Sequence, residues 1–207
     1  MAAIISDVVI VSKTRMANNN ICVGAYDLAH DRMLRLLSHE ARALTDDYPY
    51  EIGQSYSIKY QDRYEVFAPH TEDVAVYEFQ EIPPEDNHDM DLITSDWAVD
   101  CNDLSDLFNN KLCWENESGF IEEHNNINFS VQIATLDQEL YKEGNYYTQK
   151  KFGLTIKKVK YVGYLDIRFM PEIIQSNTKI RFSLARLWDK NDDGNRRAYL
   201  QLSGIYN

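Results

Sequence analysis

The sequence predicts an all-β (mainly β) protein, built as two small barrels joined by a short helical connector. Its apolar residues fall mostly in short segments where they alternate with polar ones, the period of half-buried strands. Clusters of Asn, Asp, Gly and Pro separate these segments at short intervals, as turns require. The run Ile82-Pro83-Pro84-Glu85-Asp86-Asn87 then divides the chain into two parts, each with enough strand-like segments for its own sheet.

Taken in order, Val8 to Val11, Ile21 to Tyr26 and Met33 to Leu37 read as three antiparallel strands. Their polar connections carry Lys13, Arg15, Asn18 to Asn20, Asp27, His30 and Asp31. A loop from Glu40 to Gly53 follows, and then Tyr56, Ile58 and Tyr60 alternate with polar residues. Ala68-Pro69-His70 interrupts pairing, because proline donates no ladder hydrogen bond. Val74 and Val76 open the next strand. Five strands by residue 82 are the number an OB barrel needs, so the first lobe is expected to span residues 1–82.

Residues 83–127 read as an acidic helical connector. Leu104, Leu107, Phe108 and Leu112 fall at helical spacing, with Asp100 or Asn102 as a cap. The second lobe, residues 128–207, starts with Phe129, Val131 and Ile133, followed by a turn at Gly144-Asn145. Phe152, Leu154 and Ile156 suggest one strand and Val162 to Phe169 another. Ile180 to Trp188 and Ala198 to Tyr206 form a last pair, joined by Asp189 to Asn195. The acids and amides of that loop, with Gly194, match only half of a calcium loop, because Leu200 stands where a bidentate glutamate belongs. A hairpin turn is the expected form.

Several blocks resemble the dual OB-containing domain family: Val11-Ser12-Lys13-Thr14-Arg15, Ile21-Cys22-Val23-Gly24-Ala25, Leu34-Arg35-Leu36-Leu37-Ser38, Pro69-His70-Thr71-Glu72-Asp73-Val74 and Phe182-Ser183-Leu184-Ala185-Arg186, with a closing strand at Tyr199 to Tyr206. Met16 and Asn18-Asn19-Asn20 depart from the family's basic, glycine-rich tip. The resemblance implies two OB-like barrels in a prokaryotic protein of genome-conflict or defence settings. It implies no established activity.

The net charge of -12 conceals an uneven distribution. Residues 1–63 hold 7 Lys/Arg and 8 Asp/Glu, residues 64–140 hold 1 and 19, and residues 141–207 hold 13 and 6. Such a chain is not a generic polyanion binder, yet its last third can bind nucleic acid locally. Cys22, Cys101 and Cys113 are widely spaced, which fits neither a disulfide scaffold nor a zinc site. With no long apolar run and no signal-like start, a cytoplasmic location is expected.

The segment Tyr141 to Arg168 interleaves aromatic and cationic residues, including Tyr146, Tyr147, Lys150, Lys151, Lys157, Lys158 and Lys160. Single-stranded nucleic acid is held by such a mixture, cations following the phosphates while bases stack on rings. The same residues also suit tyrosines in a core and lysines on a solvated edge. Lys13, Arg15 and Arg35 form a second candidate group, with Arg35 also suited to an ion pair with Asp27 or Asp31. Glu85, Asp86, Asp89 and Asp91 are candidates for docking a protein partner.

No nucleophile motif, phosphate loop or paired-histidine metal motif occurs, and His70-Thr71-Glu72-Asp73 reads as a turn. The expectation is a non-enzymatic binding module without cofactor. It would contact single-stranded DNA or RNA as an accessory subunit beside a nuclease, helicase or ATPase in a prokaryotic nucleic-acid-handling or anti-phage defence assembly. The alternative is a protein-binding adaptor or inhibitor acting through the acidic middle.

Overall fold

A computed structural model describes residues 2–63, 66–86, 88–125, 127–189, 192 and 194–206. The protein is mostly β, and the chain divides into two compact units, Met1–Ile93 and Thr94–Asn207.

The first unit contains β1 (Ile4–Arg15), β2 (Asn20–Asp27), β3 (Arg32–Leu37), β4 (Leu44–Thr45), β5 (Ser55–Asp62) and β6 (Asp73–Glu81). The expected meander β1-β2-β3 is antiparallel throughout. The ring then runs β3-β6-β5-β1 and closes a five-stranded barrel, with β3 and β6 as parallel neighbours. Closure depends on the length of β1. Ile4 to Val9 pairs with β5 and Val8 to Arg15 pairs with β2, with a bulge between Ile10 and Ser12 where the strand can bend from one partner to the other. Asn18 and Asn19 sit at φ 59° and 57° in the β1–β2 turn. Asparagine tolerates this left-handed region better than most residues, which accounts for amides at a tip where glycine also fits. Val8, Ile10, Val23, Leu36, Ile58 and Tyr60 fill the interior.

In the second unit α1 (Met90–Asp96), which spans the division, is followed by β7 (Ala98–Cys101), α2 (Leu107–Asn110), β8 (Cys113–Glu115) and β9 (Ser118–Glu122). Then come β10 (Val131–Leu136), β11 (Leu140–Glu143), β12 (Tyr146–Lys151), β13 (Leu154–Tyr161), β14 (Ile173–Ile174), β15 (Lys179–Leu184) and β16 (Arg197–Tyr206). Only Asp137, Gln138 and Glu139 separate β10 from β11, so the two act as one bent strand. Its first part pairs with β15 and its second with β12, as the halves of β1 pair with β5 and β2. The cyclic order β10/β11-β12-β13-β16-β15 therefore repeats that of the first unit. The parallel contact of β13 with β16 matches that of β3 with β6. The β8–β9 hairpin widens this seam: β9 pairs with β13 at Ser118 and with β16 at Phe120 to Glu122.

Three local expectations are corrected. Leu104, Leu107, Phe108 and Leu112 are buried as their spacing suggests, but no regular helix carries them. Phe108, Asn109 and Asn110 have positive φ, so the backbone coils through a turn that lets Phe108 stack on Phe129. Phe152 is not a strand residue, because Phe152 and Gly153, at φ 52° and 77°, turn the chain from β12 into β13. Val162 to Phe169 is a loop ending in a short 3-10 turn, because β13 stops at Tyr161. Within the expected connector, α1 is helical, while residues 98–101 and 113–122 supply β7, β8 and β9 to the second sheet. Asn191 and Asp193 of the loop before β16 lie outside the described residues. In that loop, Gly194 N–H donates to Asp189 Oδ2 at 2.9 Å.

Candidate nucleic-acid interface

The basic-aromatic segment becomes the β11–β12–β13 ribbon, and the pleat sorts its residues into two faces. Tyr147 and Val159 are cross-strand neighbours and are buried in the core. Tyr147 donates its hydroxyl to the Pro171 carbonyl at 2.6 Å, and burial pushes its pKa up to about 12, so this tyrosine is structural. On the other face Tyr146 lies opposite Lys160 on one side and Glu143 on the other, and Thr148 lies between Tyr141 and Lys158. Lys150 joins this face, its ammonium 2.6 Å from Glu143 and 5.2 Å from the centre of the Tyr141 ring. Tyr146 is exposed.

Beyond the barrel the ribbon ends in an apolar tip. Phe152 is 94% exposed and Leu154 72% exposed, and the Lys151 ammonium lies 5.8 Å from the Phe152 ring centre. An extended strand through Phe152 would have placed alternate residues of this stretch against the sheet. The turn presents both apolar side chains to solvent instead. The dipeptide Phe152-Gly153 carried the signal for it, since glycine between strand-like runs marks a turn.

Not all of the candidate lysines face solvent freely. Lys157 turns towards the core side, 2.9 Å from Asp103 and 5.2 Å from the Trp114 ring centre, and its side chain is only 15% exposed. Burial pushes the Asp103 carboxyl up, but hydrogen bonds from Lys157 and the Ser105 backbone together hold it below its usual value. Trp114 can lie flat on the sheet because position 119 is glycine; a Cβ there would meet the indole at 3.0 Å. Lys158 is 3.1 Å from Glu117. Arg196 and Arg197 pair with Glu123 at 2.9 Å and Glu115 at 3.0 Å. The acids of residues 103–123 thus offset much of the basic last third from within the same unit. Among the described residues, Lys151 and Lys160 have no carboxylate within ion-pair distance and are exposed.

In the first unit, Lys13 is 3% exposed beside Asp46 and Glu51, at 4.0 and 3.6 Å. Arg15 projects from the end of β1, 61% exposed and 3.8 Å from Asp46. Arg35 pairs with Asp73 rather than with Asp27 or Asp31, because the parallel register of β3 and β6 places Arg35 opposite Asp73. Asp27 is fully buried and organises the β2–β3 turn. It accepts hydrogen bonds from Ser6 Oγ at 2.5 Å and from the Ala29 and His30 backbone N–H groups, and it also pairs with Tyr60 and the His30 ring. The sequence signalled this residue only as a turn acid.

Glu85 and Asp86 lie exposed in a 3-10 turn, Asp91 is exposed in α1, and Asp89 caps α1 by accepting from the Asp91 N–H at 2.8 Å. No protein-family model matches this chain, and no curated protein matches it. Among the described residues no group of three or more His, Cys, Asp or Glu side chains is placed to hold a metal ion. Cys101 is buried, which pushes its thiol up to about 11 and leaves little thiolate at neutral pH. His70 is buried in a turn after β5, and Asp73 is held by Arg35 and Arg63. No helix of the described residues is long and apolar enough to cross a membrane.

Proposed function

We propose that this protein is a non-enzymatic OB-like binding module of the dual OB-containing domain kind, and that it holds single-stranded nucleic acid on the β12–β13 ribbon of its second unit. One observation carries the reading. In the cyclic strand order, β12 and β13 occupy the positions of the second and third strands of an OB barrel, the face on which OB folds hold oligonucleotides. That face carries Tyr141, Tyr146, Lys150, Lys158 and Lys160 and ends in Lys151 and Phe152. Bases stack on Tyr146 and Phe152, while Lys151 and Lys160 follow the phosphates. The geometry of stacking is indifferent to base identity, so binding is sequence-tolerant.

The module works in the cytoplasm as an accessory subunit of a prokaryotic nucleic-acid-handling or defence assembly, alongside a nuclease, helicase or ATPase. Three free cysteines suit that reducing compartment. The test is a fluorescence-anisotropy titration of the whole protein with labelled single-stranded DNA, single-stranded RNA and duplex DNA at two salt concentrations. Saturable single-strand binding that weakens with salt is expected. Absence of binding at low salt overturns the proposal.

A further inference from the structure

We infer that the first unit carries a second binding site, an open strand edge on β6 that takes an extended basic peptide from a partner protein by strand addition. β6 is held on both sides only at its beginning. Asp73, Val74 and Ala75 pair with β3, but β3 ends at Leu37, and from Val76 onward β6 pairs with β5 alone. Tyr77 to Glu81 are all exposed, and no strand among the described residues covers their outer edge.

The register shows which backbone groups are open. Ile82 N–H donates to the Ser55 carbonyl at 3.0 Å, so Ile82, Gln80 and Glu78 turn their amides towards β5. Phe79 and Glu81 lie between them and turn theirs away. Two residues of a strand edge therefore offer N–H and C=O groups in the spacing that another strand requires. The register against β5 shifts at Tyr77, so the regular part of the edge runs from Glu78 to Glu81, and a strand of about four residues, roughly 13 Å long, matches it.

The surroundings fix the kind of strand. On one side Phe79 is 42% exposed and packs on Tyr50 with ring centres 5.2 Å apart, and Tyr48 lies 6.3 Å from Phe79. This is an aromatic floor for alternate apolar side chains. The Tyr50 hydroxyl in that cluster is buried without a hydrogen-bond partner. On the edge and just beyond it stand Glu78, Glu81, Glu85 and Asp86. Glu78 is paired with Lys59 at 2.6 Å, whereas Glu81, Glu85 and Asp86 face solvent with no cation at ion-pair distance among the described residues. Glu81, Glu85 and Asp86 are thus not offset by a cation of their own unit among the described residues, in contrast to Asp103, Glu115, Glu117 and Glu123. Two copies of this edge would bring like charges together, so self-pairing is disfavoured and a lysine- or arginine-bearing strand is favoured.

The probe is an acetylated, amidated hexapeptide, Lys-Val-Lys-Leu-Lys-Val, titrated into the isotopically labelled full chain at low salt while backbone amide signals are followed. Saturable shifts at Phe79 and Glu81 are expected. Methylating the peptide amides of one alternate register should abolish them, and methylating the other should leave them. Glu81→Lys should weaken binding at least tenfold, and Glu-Val-Glu-Leu-Glu-Val should not bind. Absence of saturable shifts at this edge, indifference to methylation in both registers, or equal binding of the acidic peptide overturns the inference. Displacement of the peptide from this edge by an oligothymidylate does so too. The β12–β13 amides report the nucleic-acid proposal separately, so either can fail alone.

Discussion

Asp27 shows how one residue can organise a lobe. Burial alone would push its carboxyl up, but hydrogen bonds from Ser6, Tyr60 and His30 outweigh that and hold it below its usual 3.8. A carboxylate whose folded pKa is depressed contributes stability above its unfolded pKa and loses it as pH falls through the folded value. Acid unfolding of the first unit should therefore steepen below about pH 4, and Asp27→Asn should flatten that slope. At neutral pH the substitution should also cost about 1–3 kcal/mol, because donors buried around the site lose a charged acceptor. Denaturant titrations of both proteins across pH check this; an unchanged acid profile would count against the role given to Asp27. Buried Lys13 and half-buried Arg35 are the converse case, cations held by carboxylates.

At the scale of the element, the β12–β13 ribbon separates binding from support. Phe152 makes no contribution to the core, so Phe152→Ala should leave the unfolding midpoint almost unchanged. It should weaken single-strand affinity by the value of one stacked base, about 1–3 kcal/mol. Lys157→Ala should do the reverse. It leaves Asp103 without its ammonium partner and uncovers the Trp114 face, so the unfolding midpoint falls while affinity stays near that of the parent. Anisotropy and thermal melts on the two variants provide the comparison. Equal loss of affinity in both would show that Lys157 contacts the ligand after all.

For the whole molecule, the charge distribution limits how strongly salt can act. The chain carries a net charge of -12, and the acids of residues 103–123 engage Lys157, Lys158, Arg196 and Arg197. Among the described residues of the β12–β13 ribbon, Lys151, Lys160 and partly Lys150 remain to neutralise phosphates. Two or three phosphate contacts correspond to a slope of log affinity on log salt of about -1.4 to -2 for a single strand. A slope far steeper than that, measured over several salt concentrations, would require further cations in contact.

The period-2 runs, the turn residues and the break at Ile82-Pro83-Pro84 determined an all-β chain with five strands before residue 82, and the structure has those strands. Alternation is a local property imposed by the pleat, so it is legible residue by residue. Which strand lies beside which is not. The parallel contacts of β3 with β6 and β13 with β16 join segments far apart in the chain, and only tertiary packing selects them. The same holds for the charges. Composition showed an acidic middle and a basic end, but Lys157 meets Asp103 across 54 positions and Arg197 meets Glu115 across 82. Phe108 and Phe152 escaped the local reading because both adopt positive φ, a conformation non-glycine residues rarely take without surrounding structure to hold it. Sequence alone determined the fold class and the residue types of the ribbon. Tertiary structure decided which lysines face solvent, which carboxylates remain unpaired and where a strand edge stays open, because each depends on neighbours brought together by long-range pairing.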